Sequence, residues 1–327
     1  MNRIADNDFP AFAPRAPWWG GDLQTLRNYV LGRADRLGGF PGERLELALR
    51  DGSGDRLVAM FHAPAAPTAR PLVVLIHGLT GTEASPYIRA SAAAALAASH
   101  PVLRLNLRGA GPARPLCRLQ YHAGRTEDLA DALAALPARL TRNGIAAIGF
   151  SLGGNLLLKF LGEGGDRRLR GAVTVSTPLD LAAGARRLMA RRNAFYHRII
   201  LGNMKVESLA PSAALSAGER AAIVGAPDIV AFDDRFVAPR NGFAGAADYY
   251  ARCSSGRYLD AIATPTLVIH ALDDPWIPAA SYLARDWQAN RHITALLPRR
   301  GGHVGFHEKG EASAWHDRCA LRFLARL

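Results

Sequence analysis

The stretch IAAIGFSLGGNLLLK at 145–159 constrains this chain more than any other. Its apolar start predicts a short strand over 146–150, and its end predicts a helix from about Gly153. Between them Gly149, Ser151 and Gly153 form G-x-S-x-G, which demands an abrupt bend. The positions two before and two after the serine must be small, because strand and helix approach so closely that a Cβ at either would collide. A serine at such a tip exposes its Oγ. The helix N-terminus behind it offers backbone N–H groups and partial positive charge to a developing anion. Taken alone, the pattern also describes a glycine-rich turn with an ordinary N-cap serine. Its surroundings decide between the two.

Those surroundings alternate between strand and helix patterns. Two β runs, ERLELAL (43–49) and RLVAMFHA (56–63), flank the turn signal DGSGD and predict an antiparallel hairpin. LVVLIHG (72–78) has the unbroken Leu/Val/Ile character of a strand in a parallel sheet. A helix at 86–99, a strand at 102–109 and a helix from Thr126 to Leu140 follow. After the elbow come GAVTVS (171–176), TLVIHA (266–271), a helix near 280–290, ITALLP (293–298) and a final helix at 311–325. Repeated βα units predict a mostly parallel sheet covered by helices on both faces.

Two segments stand outside this rhythm. Residues 1–42 are rich in Pro, Gly and Trp and read as an N-terminal arm. Residues 181–262 interrupt the alternation and read as a helical cap or lid, leaving 43–180 and 263–327 as the core. Its opening stretch puts Leu181, Ala185, Leu188, Phe195 and Ile199 on one helical face, with Arg186, Arg187 and Arg191 elsewhere. A basic amphipathic helix also suits transient contact with a membrane surface, although packing on its own domain is the commoner use.

Composition narrows the class further. Hydrophobic residues make up 49% of 327, ample for a large core, yet no apolar run reaches the ~20 residues that span a bilayer. Asp6, Asp8, Pro10 and Pro14 occupy the place of a signal peptide's apolar core, so a cytoplasmic location is expected. Cys117, Cys253 and Cys319 are distant and form no C-x-x-C pair, which indicates neither disulfides nor a thiolate metal site. The net charge of +12 comes mainly from arginines scattered along the chain, a pattern of solvated faces rather than of a nucleic-acid site. No cofactor and no metal ion is expected.

A nucleophilic serine needs a base, and the base needs an acidic group to fix its tautomer. In α/β hydrolases these follow in the order Ser, Asp, His, on loops at strand carboxyl ends. Asp273 and Asp274 lie just after TLVIHA, and His303 lies just after ITALLP, about 30 residues on. The frame D-x-x-I-P fits Asp274 to Pro278 and favours Asp274 as acid, with Asp273 left to cap the turn. His303, among glycines that let its loop reach the serine, is the expected base. His307, His316 and His270 read as structural, and His77 as a shaper of its loop. The oxyanion would be held by the N–H of Leu152 and by one from the first βα loop, Leu79.

The motifs HGLTGTEASPYIR (77–89), NLRGAG (106–111), YHAGRTEDL (121–129), GFSLGGN (149–155), FDDRFVAPRNGFAGAADYY (232–250), ALDDP (271–275) and GGHVGF (301–306) together resemble the YheT-like esterases, a family related to the abhydrolase-domain lipases. The resemblance implies an α/β-hydrolase fold and a serine hydrolase of carboxylic esters, of short-chain esterase or acylglycerol-lipase type. It implies Ser151 as nucleophile, Asp274 as acid and His303 as base, with the segment ending in DYY forming part of an acyl pocket. The substrate would be a small-molecule or lipid ester. One departure is GGDLQTL (20–26), where relatives tend to carry a histidine before LQT. The residues leave two other readings open: an acyltransferase on the same fold, and a non-catalytic binding protein with a basic surface.

Overall fold

Unbroken Leu/Val/Ile runs have no solvated face to offer, so they end in a sheet covered on both sides. A computed structural model describes residues 8–31 and 37–327; residues 1–7 and 32–36 of the expected arm, Asp6 among them, lie outside it. Eight strands form one sheet: β1 (Gly42–Ala48), β2 (Arg56–His62), β3 (Leu72–Ile76), β4 (Val102–Leu105), β5 (Ile145–Phe150), β6 (Leu169–Val175), β7 (Thr266–Ile269) and β8 (Ile293–Leu296). Their order is β1-β2-β4-β3-β5-β6-β7-β8. The hairpin β1–β2 pairs antiparallel, β2 meets β4 antiparallel, and every later pairing is parallel. Every residue of β3, β4, β5 and β7 is buried. Parallel pairing sends the loops after β3, β5, β7 and β8 to the same edge of the sheet, where ligands of such folds bind.

Helices cover both faces. In chain order the first five are α1 (Gly21–Leu31), α2 (Pro86–Ala97), α3 (Thr126–Ala135), α4 (Ala138–Thr141) and α5 (Leu152–Gly162). On one face Leu129 and Leu133 of α3 and Leu157 of α5 pack against Val74 and Ala147. On the other, Ile88 and Ala92 of α2 meet Leu75, Ile148 and Val173. The helix expected over 126–140 is divided between α3 and α4. Leu136, which precedes Pro137, is extended at φ −64°, ψ 134°, because the proline ring disfavours helical geometry in the residue before it. The expected strand at 102–109 stops at Leu105, where the chain turns into the loop that carries Arg108.

Between β6 and β7 lie α6 (Leu181–Met189), α7 (Ala194–Ser208), α8 (Ala217–Gly225), α9 (Ile229–Phe232), a π turn over Asp233–Val237, α10 (Ala238–Arg240) and α11 (Ala246–Cys253). Leu188, Leu201, Met204, Ile223, Phe232 and Phe236 build a core of their own, against which Leu79 and Trp276 pack from the sheet side. The single amphipathic helix expected at 181–199 is instead two. Ala190 is extended at ψ 144°, and Asn193 bridges the break by donating from Nδ2 to the carbonyls of Arg187 and Pro275. Leu181, Ala185 and Leu188 are buried as expected, but the break turns Phe195 and Ile199 out to solvent.

The last two helices are α12 (Ala280–Leu283) and α13 (Trp315–Leu324). Both are shorter than the expected 280–290 and 311–325. After α12 the Asp286 side chain takes the Gln288 N–H, and Asn290 reaches the carbonyls of Leu259 and Ile262, local bonds that compete with a continued helix.

Beneath β4, Arg108 is 1% exposed and ties three segments together. Its Nε and Nη2 grip both carboxylate oxygens of Asp128 at 2.9 and 2.6 Å, and its Nη1 reaches Asp55 at 3.2 Å. Burial pushes the guanidinium pKa down, but the bonds to Asp128 and Asp51 overcome this and leave it raised. Arg108→Ala strands two buried carboxylates, so urea denaturation should show a loss of about 3–5 kcal/mol.

Candidate active site

Ser151 sits at φ 49°, ψ −119°, a conformation side chains rarely adopt, and its N–H is held by the Val175 carbonyl at 2.8 Å. The bend is dictated from behind. A Cβ on Gly153 would lie 2.4 Å from the His77 carbonyl oxygen and 2.5 Å from that of Ile76, so α5 presses directly on the end of β3. The same closeness brings the loop after β3 over the serine: a Cβ on Gly78 would lie 2.9 Å from the Ser151 Cβ.

Two phenols fix that loop. Tyr87 Oη accepts the Gly78 N–H at 2.9 Å, and Tyr121 Oη accepts the Thr80 N–H at 2.8 Å. The Leu79 N–H between them finds no acceptor among the described residues. Leu152, as the first residue of α5, likewise has no acceptor within its helix. His77 shapes the loop from inside. Its Nε2 accepts the Leu107 N–H at 3.0 Å and its Nδ1 donates to the Gly78 carbonyl at 2.8 Å; burial pushes its pKa down to about 4, so the ring is neutral.

The three side chains singled out by sequence order meet at this edge. His303 Nε2 lies 3.0 Å from Ser151 Oγ, and His303 Nδ1 lies 2.8 Å from Asp274 Oδ2. Asp274 is 3% exposed and His303 5%. Asp274 Oδ1 accepts the N–H groups of Trp276 and Ile277 at 2.8 and 3.0 Å. Burial alone would push this carboxyl's pKa up, but the facing His303 ring and its hydrogen bond, helped by His270 and the Ile277 N–H, hold it below the ordinary value. The turn cap expected of Asp273 is therefore made by Asp274. Asp273 instead accepts the Gly302 N–H at 2.9 Å and anchors the histidine loop. The Trp276 ring lies over the imidazole at 4.3 Å between centroids.

His307 meets Arg27, His270 is stacked on Tyr282 at 3.8 Å, and His316 lies beside Asp317, all outside the Ser151–His303 contact. Sequence reasoning missed the part played by α1. His303 N–H donates to Thr25 Oγ1 at 2.8 Å, His307 N–H donates to Gln24 Oε1 at 2.7 Å, and Asn28 Nδ2 donates to the Val304 carbonyl at 2.9 Å. Gln24 and Thr25 are almost fully buried. The signal was available as Gln24 and Asn28 spaced i, i+4 in a helix otherwise edged with leucines. Asp22, at the departure from the family pattern, accepts from Arg192 Nη2 at 2.9 Å and from Tyr196 Oη at 3.1 Å, joining α1 to the cap.

Above Ser151 lies a cavity of about 190 Å³, walled by apolar side chains that include Leu188, Ile200, Met204, Phe232 and Trp276. Tyr249 and Tyr250 line it, and Tyr250 Oη donates to Asp233 at 2.6 Å. Two acids face it as well. Burial pushes Asp233 and Glu207 each up to about 7, more than their hydrogen bonds from Tyr250 and Tyr121 offset. Both bind a proton more tightly in the folded than in the unfolded chain, so the stability these two groups contribute is fully present below pH ~4 and is lost as pH rises through about 7. Asp233→Asn and Glu207→Gln should each flatten that fall, by on the order of a few kcal/mol in urea titrations at pH 5 and 8. Thr25→Val should lower kcat for an ester about tenfold with KM little changed, since the near-isosteric side chain keeps the shape of the pocket it lines while the His303 N–H loses its acceptor.

A family model described as the alpha/beta hydrolase fold matches residues 71–216. YheT, an Escherichia coli K12 protein named as an esterase, is 34% identical over 92% of this chain and 89% of its own. The monoacylglycerol lipase of Saccharomyces cerevisiae is 26% identical over 78% of this chain, which spans 59% of that longer protein. Among solved structures, the Pyrococcus furiosus esterase Pf2001 aligns with a TM-score of 0.59 at 16% identity, covering 97% of this chain and 98% of that one. That last likeness is one of fold.

Proposed function

The chain belongs to the YheT-like family of α/β hydrolases and is a carboxylic ester hydrolase; from that premise we propose that it cleaves esters with an apolar acyl group through Ser151, His303 and Asp274. The observation that carries this reading is the unbroken run of hydrogen-bonding distances from Ser151 Oγ through the imidazole to Asp274, 3.0 and 2.8 Å. His303 Nδ1 donates to Asp274, which leaves Nε2 unprotonated and aimed at the hydroxyl. Nε2 takes the Ser151 proton as Oγ attacks the ester carbonyl. The oxygen, now negative, accepts from the N–H groups of Leu79 and Leu152, for which no competing acceptor is found among the described residues. When the C–O bond to the alcohol breaks, the imidazolium returns its proton to the departing oxygen. Water then gives a proton to His303 and attacks the acyl-enzyme; Ser151 leaves with that proton and the acid is released.

The apolar walls of the cavity support an acyl chain as the buried part of the substrate. Relatives named as a monoacylglycerol lipase and as phospholipases are consistent with a lipid ester.

Fluorophosphonate should label Ser151 in a stoichiometric reaction that Ser151→Ala abolishes. With p-nitrophenyl esters from short to long chains, Ser151→Ala or His303→Ala should lower kcat by roughly 10⁴–10⁶. Asp274→Asn should cost about 10⁴ by favouring the wrong tautomer. An Asp274→Asn enzyme with nearly normal kcat would refute the assignment of the acid.

A further inference from the structure

Helix α7 forms the roof of the cavity and has two apolar faces, only one of which is covered. Ile200, Leu201 and Met204 point to the cavity and the cap core. On the opposite side Phe195, Ile199 and Val206 are 66%, 46% and 74% exposed. Their spacing of four and seven residues puts them in one stripe. The Asp22 carboxylate, bonded to Arg192 and Tyr196, places the first turn of α1 beside the first turn of α7. There Leu23 of α1 and Trp19, two residues before that helix begins, add apolar surface, 45% and 55% exposed. Single exposed apolar side chains are ordinary, but a grouped set on adjoining helices marks an interaction surface. Thr25 and Asn28 from α1 and Ile200 and Met204 from α7 also line the cavity, so this surface and the pocket wall are two sides of the same helices.

The charge around the stripe selects the partner. Residues 181–206 contain five arginines and Lys205, and no acidic residue. Arg191, Arg192 and Arg198 are exposed beside Phe195 and Ile199. A second copy of the chain would bring the same cations against one another, which disfavours a symmetric dimer through this face. Aromatic and aliphatic side chains ringed by arginine instead match the boundary between anionic headgroups and acyl chains. Among the described residues no helix is long and apolar enough to cross a membrane, so the contact is peripheral.

We propose that the outer face of α7 and the start of α1 dock on an anionic phospholipid bilayer, bringing the pocket to the lipid surface so that the enzyme draws its ester from the membrane. This rests on the ester-hydrolase reading for the fate of the lipid, but not for the docking itself.

The test is cosedimentation of the full chain with phosphatidylcholine vesicles, with and without phosphatidylglycerol. Wild type should pellet with the anionic vesicles, and less so as salt is raised from 0.05 to 0.5 M. The double variant Phe195→Ser/Ile199→Ser should bind at least about tenfold more weakly. Arg191→Glu/Arg198→Glu should lose the preference for anionic lipid. Both variants should keep the wild-type unfolding midpoint and the wild-type rate on soluble p-nitrophenyl butyrate. The proposal is overturned if wild type stays in the supernatant with anionic vesicles at low salt, or if the Phe195/Ile199 variant binds as wild type does. It is equally overturned if that variant only dissolves a dimer seen by sedimentation velocity while no vesicle binding occurs. Vesicle binding by a wild type that cleaves neither p-nitrophenyl butyrate nor lipid would sink the ester reading and leave the docking standing.

Discussion

The site depends on one steric fact: at Gly153 the helix after the serine touches the carbonyls of Ile76 and His77, with no room for a single methyl group. That contact forces the left-handed turn at Ser151 and lays the Gly78–Leu79 backbone across the serine. The N–H groups of Leu79 and Leu152, for which no acceptor is found among the described residues, belong to the two segments brought together by this contact. Strain of this kind persists only where the surroundings over-determine it. Here they do, because β3 and β5 are neighbours in the sheet and both are buried along their whole length.

The imidazole is placed by a different principle. Its loop is rich in glycine, with Val304 and Phe306 at positive φ, and belongs to no helix or strand itself. Support comes from hydrogen bonds to polar side chains: Thr25 under His303, Gln24 under His307, Asn28 on Val304, Ser176 on Val304 and Asp273 on Gly302. Each bond is modest alone, about 1 kcal/mol, yet breaking one leaves a buried group unpaired, which costs more. The histidine is thus held by satisfied polarity, whereas the serine is held by packing.

This difference explains what could be read from the sequence. Strands β3, β5 and β7 were legible because burial on both faces leaves no choice of residue type, and the less fully buried β6 and β8 were legible from their short apolar runs between helix patterns. That Ser151, Asp274 and His303 would meet was legible because each follows a strand end in a fixed order, and the structure brings them within hydrogen-bonding distance. The Gln24/Asn28 spacing marked a polar stripe on a helix, but not its partner, since such a stripe facing solvent and one under a loop 278 residues further along the chain look alike until the chain folds. The helix faces failed for a related reason. Periodicity across 181–199 assumed a continuous helix, and the extended residue at Ala190, held by Asn193 bonding to Pro275, resets the phase. Pro137, by contrast, was a plain local signal for the division of α3 from α4.

The grip of α1 on the loop that bears His303 carries a consequence for synthesis. The serine elbow, the loop after β3 and the whole sheet leave the ribosome before residues 301–307, and α1, made before the sheet, waits for a loop made after it. A nascent chain can therefore shelter a folded elbow while lacking both its imidazole and the clamp that aims it. On the proposed mechanism, hydrolysis would have to await the step that joins α1 to this late loop.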